Sequence, residues 1–182
     1  DIGTHAYHLV EYVTSLHTRS VAAQLSRFVP GRRLDDNVQV MLRFAGGATG
    51  SLWASQVAAG EDNALRIRVY GDKASVCWDQ EHPEELRFAP LDAPPQTLRR
   101  GGPGVGPWAA GVTQLTVGHP EGTLEGFGLL YSEVADAIIA VRMQRPVPAI
   151  RVATIDDGVA GMRFIDACLS SARQDSAWVT LD

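Results

Sequence analysis

Cysteine is nearly absent from this chain: Cys77 and Cys168 are its only two in 182 residues. Neither belongs to a CxxC pair or stands near a histidine at zinc-ligand spacing, so no metal site is expected. The pair reads as two free, reduced core thiols of a cytoplasmic protein rather than a disulfide framework. A basic run is also missing. Sixteen lysines and arginines against 21 aspartates and glutamates leave a formal net charge of -5, with the arginines scattered among acids. That withholds the electrostatic footprint of a nucleic-acid binder, so no nucleic-acid partner is expected. No apolar stretch approaches the roughly 18 residues of a membrane span, and the first residues have neither the basic flank nor the apolar core of a signal peptide. GxSxG, P-loop, internal repeats and low-complexity segments are absent as well. What remains is an ordinary globular composition, 45% hydrophobic and 20% charged, which suits one domain with a real core over residues 1–182.

Periodicity supplies the elements. From Thr4 to Ser15 the apolar positions Tyr7, Leu9, Val10, Tyr12 and Val13, continued by Leu16, follow the helical period, with Thr4 as a possible cap. Ser20–Val29 reads as a first strand closed by Pro30 and Gly31. Asn37–Phe44 then alternates, with Val40, Leu42 and Phe44 on one face, and Gly46 and Gly47 turn the chain into a strand over Gly50–Val57. Leu65–Tyr70, Ala74–Trp78, Glu85–Phe88 and Gln96–Arg99 continue the series across short turns. Strands joined so tightly are antiparallel, because parallel neighbours need crossovers of a dozen residues or more. The fold class expected is α+β: an open, meander-like antiparallel sheet with helices packed on one face.

Arg100–Pro120 is a loop rich in glycine and proline, the place for a lid or binding loop. Within it Gly104, Gly106 and Ala109 satisfy the GxGxxA spacing of dinucleotide-binding turns. Pro103 and Pro107 interrupt it and no βαβ unit surrounds it, so we reject that reading. Two helices follow. The first, Thr123–Met143, carries Leu124, Phe127, Leu130, Tyr131, Val134, Ile138 and Val141 as an apolar stripe. The second starts at Thr154, where Asp157 three residues on makes a capping-box-like start, and runs to about Arg173. Trp178–Leu181 alternates as a last strand.

The chemistry concentrates in the first eight residues. Asp1 and His5 lie four apart, one turn apart on the same helix face, and His8 follows. A carboxylate beside an imidazole fixes its tautomer and favours its protonated form, which makes the histidine a usable acid or base near neutral pH. A first-turn cap is the competing role for the same residues. A second constellation is His119, Pro120, Glu121 and Gly122 ahead of Glu125, where a histidine at a helix start suits a hydroxylated or anionic ligand. There the glutamates also serve as plain complements of the helix dipole. Trp53, Trp78, Trp108 and Trp178 sit on different elements without a shared basic groove, which fits core or interface packing rather than a stacking platform.

The order of elements, the opening DIGTH, the HPEG before a Glu-containing helix and the closing TIDDGVAGMRFIDACLSSARQDSAWVTL together resemble the C-terminal domain of the Gfo/Idh/MocA oxidoreductases, over essentially the whole chain. The resemblance implies a substrate-binding and oligomerising domain over 1–182, paired in full-length members with an N-terminal Rossmann domain that holds NAD or NADP. It further implies that the family's DxxxH signature falls on Asp1 and His5, with His5 exchanging a proton with the substrate while Asp1 positions it and a lysine of the Rossmann domain assists. Oxidation of an alcohol carbon needs the hydroxyl proton removed as the C–H bond breaks, so a base within hydrogen-bond reach is required. The resemblance implies Thr4, His8 and His119 as further substrate contacts, and position 8 commonly holds an acid in inositol dehydrogenases. The expected function is interconversion of a hydroxyl and a carbonyl on a sugar or inositol-like polyol. The fragment by itself is expected to be inactive and to form a homo-oligomer, dimer or tetramer, through its open sheet face. A non-catalytic scaffold or sensor, or a sugar-binding domain of the same fold, is the alternative.

Overall fold

The computed structural model describes residues 2–148 and 152–181. In chain order the elements begin with α1 (Ile2–Thr14), β1 (Thr18–Ser26), β2 (Asn37–Phe44), β3 (Thr49–Ser55), β4 (Arg66–Tyr70) and β5 (Ala74–Asp79). They continue with β6 (Glu85–Pro90), β7 (Gln96–Arg99), α2 (Pro107–Ala110), α3 (Thr123–Arg142), α4 (Ile155–Arg173) and β8 (Val179–Thr180). The chain divides into two compact units, Asp1–Asn63 with Thr154–Asp182, and Ala64–Ala153.

In the first unit an antiparallel four-stranded sheet of order β3-β2-β1-β8 carries α1 and α4 on one face. The register sets Val21 opposite Leu42, Ala23 opposite Val40, and Val40 opposite Leu52, so every second side chain points to the helices. These residues and Phe44 meet Tyr7 of α1 and Phe164, Ala167 and Cys168 of α4 in one buried cluster. Between β2 and β3 a 3-10 turn over Ala45–Gly47 reverses the chain, with Gly46 and Gly47 at φ 85° and 93°, a region that glycine enters without steric cost. The last strand is short: β8 pairs only Ser20 and Val21. Beyond its reach the Ala23 N–H donates at 2.8 Å to the hydroxyl of Ser171, which is itself fully buried and donates to the Ala177 carbonyl at 2.6 Å. A serine on α4 thus completes an edge that the short strand leaves open.

The second unit holds the other sheet, order β4-β5-β6-β7, also antiparallel throughout. The α+β class with antiparallel sheets is as the sequence predicts, but the strands form two sheets rather than one continuous meander. The division falls at Gln56–Leu65, an irregular stretch with Gly60 at φ 91°, too long to act as a hairpin turn. One further expectation changes and another narrows. Leu124, Phe127, Tyr131 and Ile138 of α3 follow the predicted helical stripe yet are exposed, while Glu133 and Ala140 are its buried residues. No tryptophan is core: Trp53, Trp108 and Trp178 are exposed and Trp78 is half-buried.

Candidate active-site face

The orientation of α1 comes from three contacts on its buried side. A Cβ added to Gly3 would lie 3.9 Å from Val38 and 4.0 Å from Ala54, so the first turn rests on the sheet at van der Waals distance. Tyr7, one turn on, stacks on Phe164 of α4 at 4.3 Å between ring centroids and 11° between planes. Half-buried Val10 packs against the same core. With that side turned inward, the helical period carries Thr4, His8 and His5 round towards solvent. Thr4 lines a cavity of about 370 Å³ beneath the start of α1, walled by Val38, Ala54 and Phe164, with Asp35 and Gln56 among its polar lining. His5 is exposed, and His8 is half-buried with its ring edge-on to Tyr7 at 5.4 Å and 66°. Asp1 lies outside the described residues. Thr4 is inside the helix rather than its cap.

The nearby titratable groups are mostly structural. Burial, then the Glu11 carboxylate, pushes the Tyr7 phenol well above its ordinary range, which keeps it neutral. Burial pushes the Cys168 thiol up to about 12, and both cysteines are free. Asp157 is held below the usual carboxylate range first by the Thr154 N–H and next by the Thr154 hydroxyl, with His8 contributing less. The distances, 2.6 Å to the nitrogen and 2.7 Å to the hydroxyl, make Thr154 and Asp157 the capping box that the sequence predicts. Asp36, 3% exposed, is likewise held low, first by the Phe28 N–H at 2.9 Å, then by that of Val29 at 3.0 Å and by Arg32.

His119 belongs to the second unit. Its side chain is exposed, with Nδ1 3.1 Å from the Thr116 hydroxyl, and the turn carrying it is tied down by Arg100. That guanidinium donates to Glu84 at 3.0 and 3.2 Å, to Glu121 at 2.9 Å, and to the carbonyls of Leu115 and His119. Glu121 also accepts the N–H groups of Gln114 and Leu115. The Glu125 carboxylate accepts the Gly122 N–H at 2.8 Å at the start of α3. Glu121 therefore holds the loop and Glu125 caps the helix, and the His119 side chain is left facing solvent.

The described residues do not build a dinucleotide site. The GxGxxA-spaced residues follow β7, which runs antiparallel to β6, and end in α2, a helix of four residues, so no strand-turn-helix presents its N–H groups to a pyrophosphate. Among the described residues no group of three His, Cys, Asp or Glu could hold a metal ion, and no helix is long and apolar enough to cross a membrane.

Comparison with known proteins decides the lineage. The family model described as the GFO/IDH/MocA C-terminal domain matches residues 1–77. The uncharacterized oxidoreductase YfiI of Bacillus subtilis is 32% identical over 183 residues, covering 98% of this chain and 47% of that protein. The match is to the Gfo/Idh/MocA family, through its C-terminal domain. An oxidoreductase from Sinorhizobium meliloti superimposes with a TM-score of 0.94 at 47% identity, over 98% of this chain and 51% of that one. An inositol dehydrogenase homolog from Azotobacter vinelandii, solved with NADH and myo-inositol, gives 0.93 at 33% identity, over 99% of this chain and 48% of that one. The chain thus spans about half the length of the Gfo/Idh/MocA relatives it matches.

Sequence reasoning overlooked Gly161. The ring of His8 lies where a side chain at that position would go, with Nε2 2.6 Å from the place of its Cβ. A signal existed, since an isolated glycine inside a helical pattern usually has a packing reason.

Proposed function

We propose that the full-length protein is an NAD(P)-dependent oxidoreductase that interconverts a hydroxyl and a carbonyl on a sugar or inositol-like polyol, with this chain as its substrate domain. The observation that carries the reading is the outward face of α1, where His5, exposed at the start of the helix, stands beside Thr4 and His8 while Gly3 and Tyr7 anchor the opposite side. In this reading His5 takes the proton from the substrate hydroxyl, or returns it to the carbonyl, and Asp1 positions the imidazole. Thr4 and His8 bind neighbouring hydroxyls. The cofactor, NAD or NADP, is held mainly by an N-terminal Rossmann domain. The two free thiols suit a reducing, cytoplasmic setting.

The proposed assembly is a homo-oligomer, dimer or tetramer, through the outer face of the first sheet. On that face Met41 and Trp53 are 59% and 61% exposed, and the Arg43 guanidinium lies 3.7 Å from the ring centroid of Trp178. Exposed aromatics with an arginine are the residues that anchor protein interfaces. Light scattering on the full-length protein is expected to give a dimer or tetramer, and Trp53→Glu to shift it towards monomer. A monomeric wild type rejects this surface.

The activity is tested by incubating the full-length protein with a panel of sugars and polyols and either nucleotide, following reduced nicotinamide. Turnover of at least one polyol is expected, with none from the 182-residue chain alone. Saturable polyol binding without turnover by the full-length protein would replace this reading with the non-catalytic binding domain.

A further inference from the structure

Gly161 is buried in the middle of α4, a position where glycine is a poor helix former. What it admits is specific. The three nearest heavy atoms to a Cβ built there all belong to the His8 imidazole: Nε2 at 2.6 Å, Cε1 at 3.3 Å and Cδ2 at 3.8 Å. Were the glycine serving a close crossing of the two helices, backbone atoms of α1 would come nearest that point; instead ring atoms do. One turn earlier on the same helix, Gly158 meets nothing within 4 Å. The rest of the slot is built around the ring. Tyr7 closes one side edge-on, and Phe164, three residues beyond Gly161, holds Tyr7 by stacking. Asp157, four residues before Gly161, lies on the same face of α4.

We infer that Gly161 is a positioning residue: it sets the ring of His8 on the substrate-facing side of α1 and so tunes which hydroxyl arrangement the site accepts. The substrate part rests on the proposed oxidoreductase reading; the placement of the ring does not. A methyl group at 161 and the ring cannot occupy the same place, and the side chain of His8 yields more readily than two packed helices, so the imidazole turns to another rotamer. A hydrogen bond from that ring to a substrate hydroxyl is then lost.

The test is a double-mutant cycle in the full-length protein with Gly161→Ala, His8→Ala and both changes together. Two readouts are taken: steady-state kinetics on the polyol found active, and the histidine ring resonances in the NMR spectrum of isotope-labelled protein. Gly161→Ala is expected to move the His8 ring signals while those of His17 stay in place, and to lower kcat/KM roughly tenfold, carried by KM. His8→Ala gives a similar loss, and the double variant is no worse than His8→Ala, because the added methyl has no ring left to displace. Unmoved His8 signals in Gly161→Ala, or losses that multiply in the double variant, overturn the inference. A wild type with no turnover, but with His8 signals displaced by Gly161→Ala, overturns the oxidoreductase reading and the specificity role with it, and leaves the ring placement standing.

Discussion

Replacing His5 with alanine in the full-length protein is expected to lower kcat by roughly 10²–10⁴-fold while leaving NAD(P) binding nearly unchanged, the range removed with a positioned general base. The size of the effect follows from charge. A carbonyl cannot form while the hydroxyl proton remains, and without the imidazole that proton loses its positioned acceptor. The imidazole is exposed on α1, so its removal leaves no cavity, and a surface change of this kind moves stability by no more than about 0.5 kcal/mol. The loss is therefore readable as catalysis rather than unfolding. His5→Gln provides the control, since an amide keeps polar contacts near the same place but takes up no proton; it should fall with the alanine variant. Equal loss of turnover and of nucleotide affinity, measured by fluorescence titration, would assign His5 a structural role.

The largest effect on stability is expected from Phe164→Ala, about 3–5 kcal/mol by urea unfolding of the full-length protein. Phe164 is 4% exposed, lies in the cluster that joins α1 and α4 to the sheet, and borders the 370 Å³ cavity beneath α1, so the space it vacates adds to a void already there. A wall next to existing space collapses poorly, and the cost of a truncation rises with the volume left open. The same change removes the face on which Tyr7 stacks, and an aromatic pair contributes about 0.5–1.5 kcal/mol beyond its buried area. The effect should reach the site, because Tyr7 is both an anchor of α1 and the edge-on neighbour of His8. Met162→Ala, two residues away on the exposed side of α4, is the matched control and should stay within about 0.5 kcal/mol of wild type. A Phe164→Ala cost below about 1.5 kcal/mol would mean that α1 is not held by this contact.

Much of the secondary structure was legible from neighbouring residues alone. Asn37–Phe44 and Gln96–Arg99 are strands with the bounds that alternation predicts, and Thr154 with Asp157 caps α4 as the spacing requires. Such features depend on residues a few positions apart, and the forces that make them act over that range. Boundaries moved where the signal was weaker: the first strand ends at Ser26 rather than Val29, and the long loop contains α2. The tryptophans were left between core and interface for a different reason. Hydrophobicity reports that a side chain gains by leaving water, and it does not say whether a core or a second chain will cover it, so Trp53 looks alike in both cases.

By itself the sequence determined the α+β class, the antiparallel pairing, the cap of α4, the histidines gathered on one arc of α1 and, through its combined motifs, the family. The tertiary structure decided how the strands divide between two sheets, which face of each element is covered, and the direction in which each described candidate residue points. It did so through contacts between residues far apart in the chain: Gly3 with Val38 and Ala54, Tyr7 with Phe164, and His8 with Gly161. Hydrophobic attraction is non-directional, so periodicity marks the stripe that seeks burial and leaves its partner open. Close packing then chooses among the partners by shape, and a single methyl group is enough to exclude one.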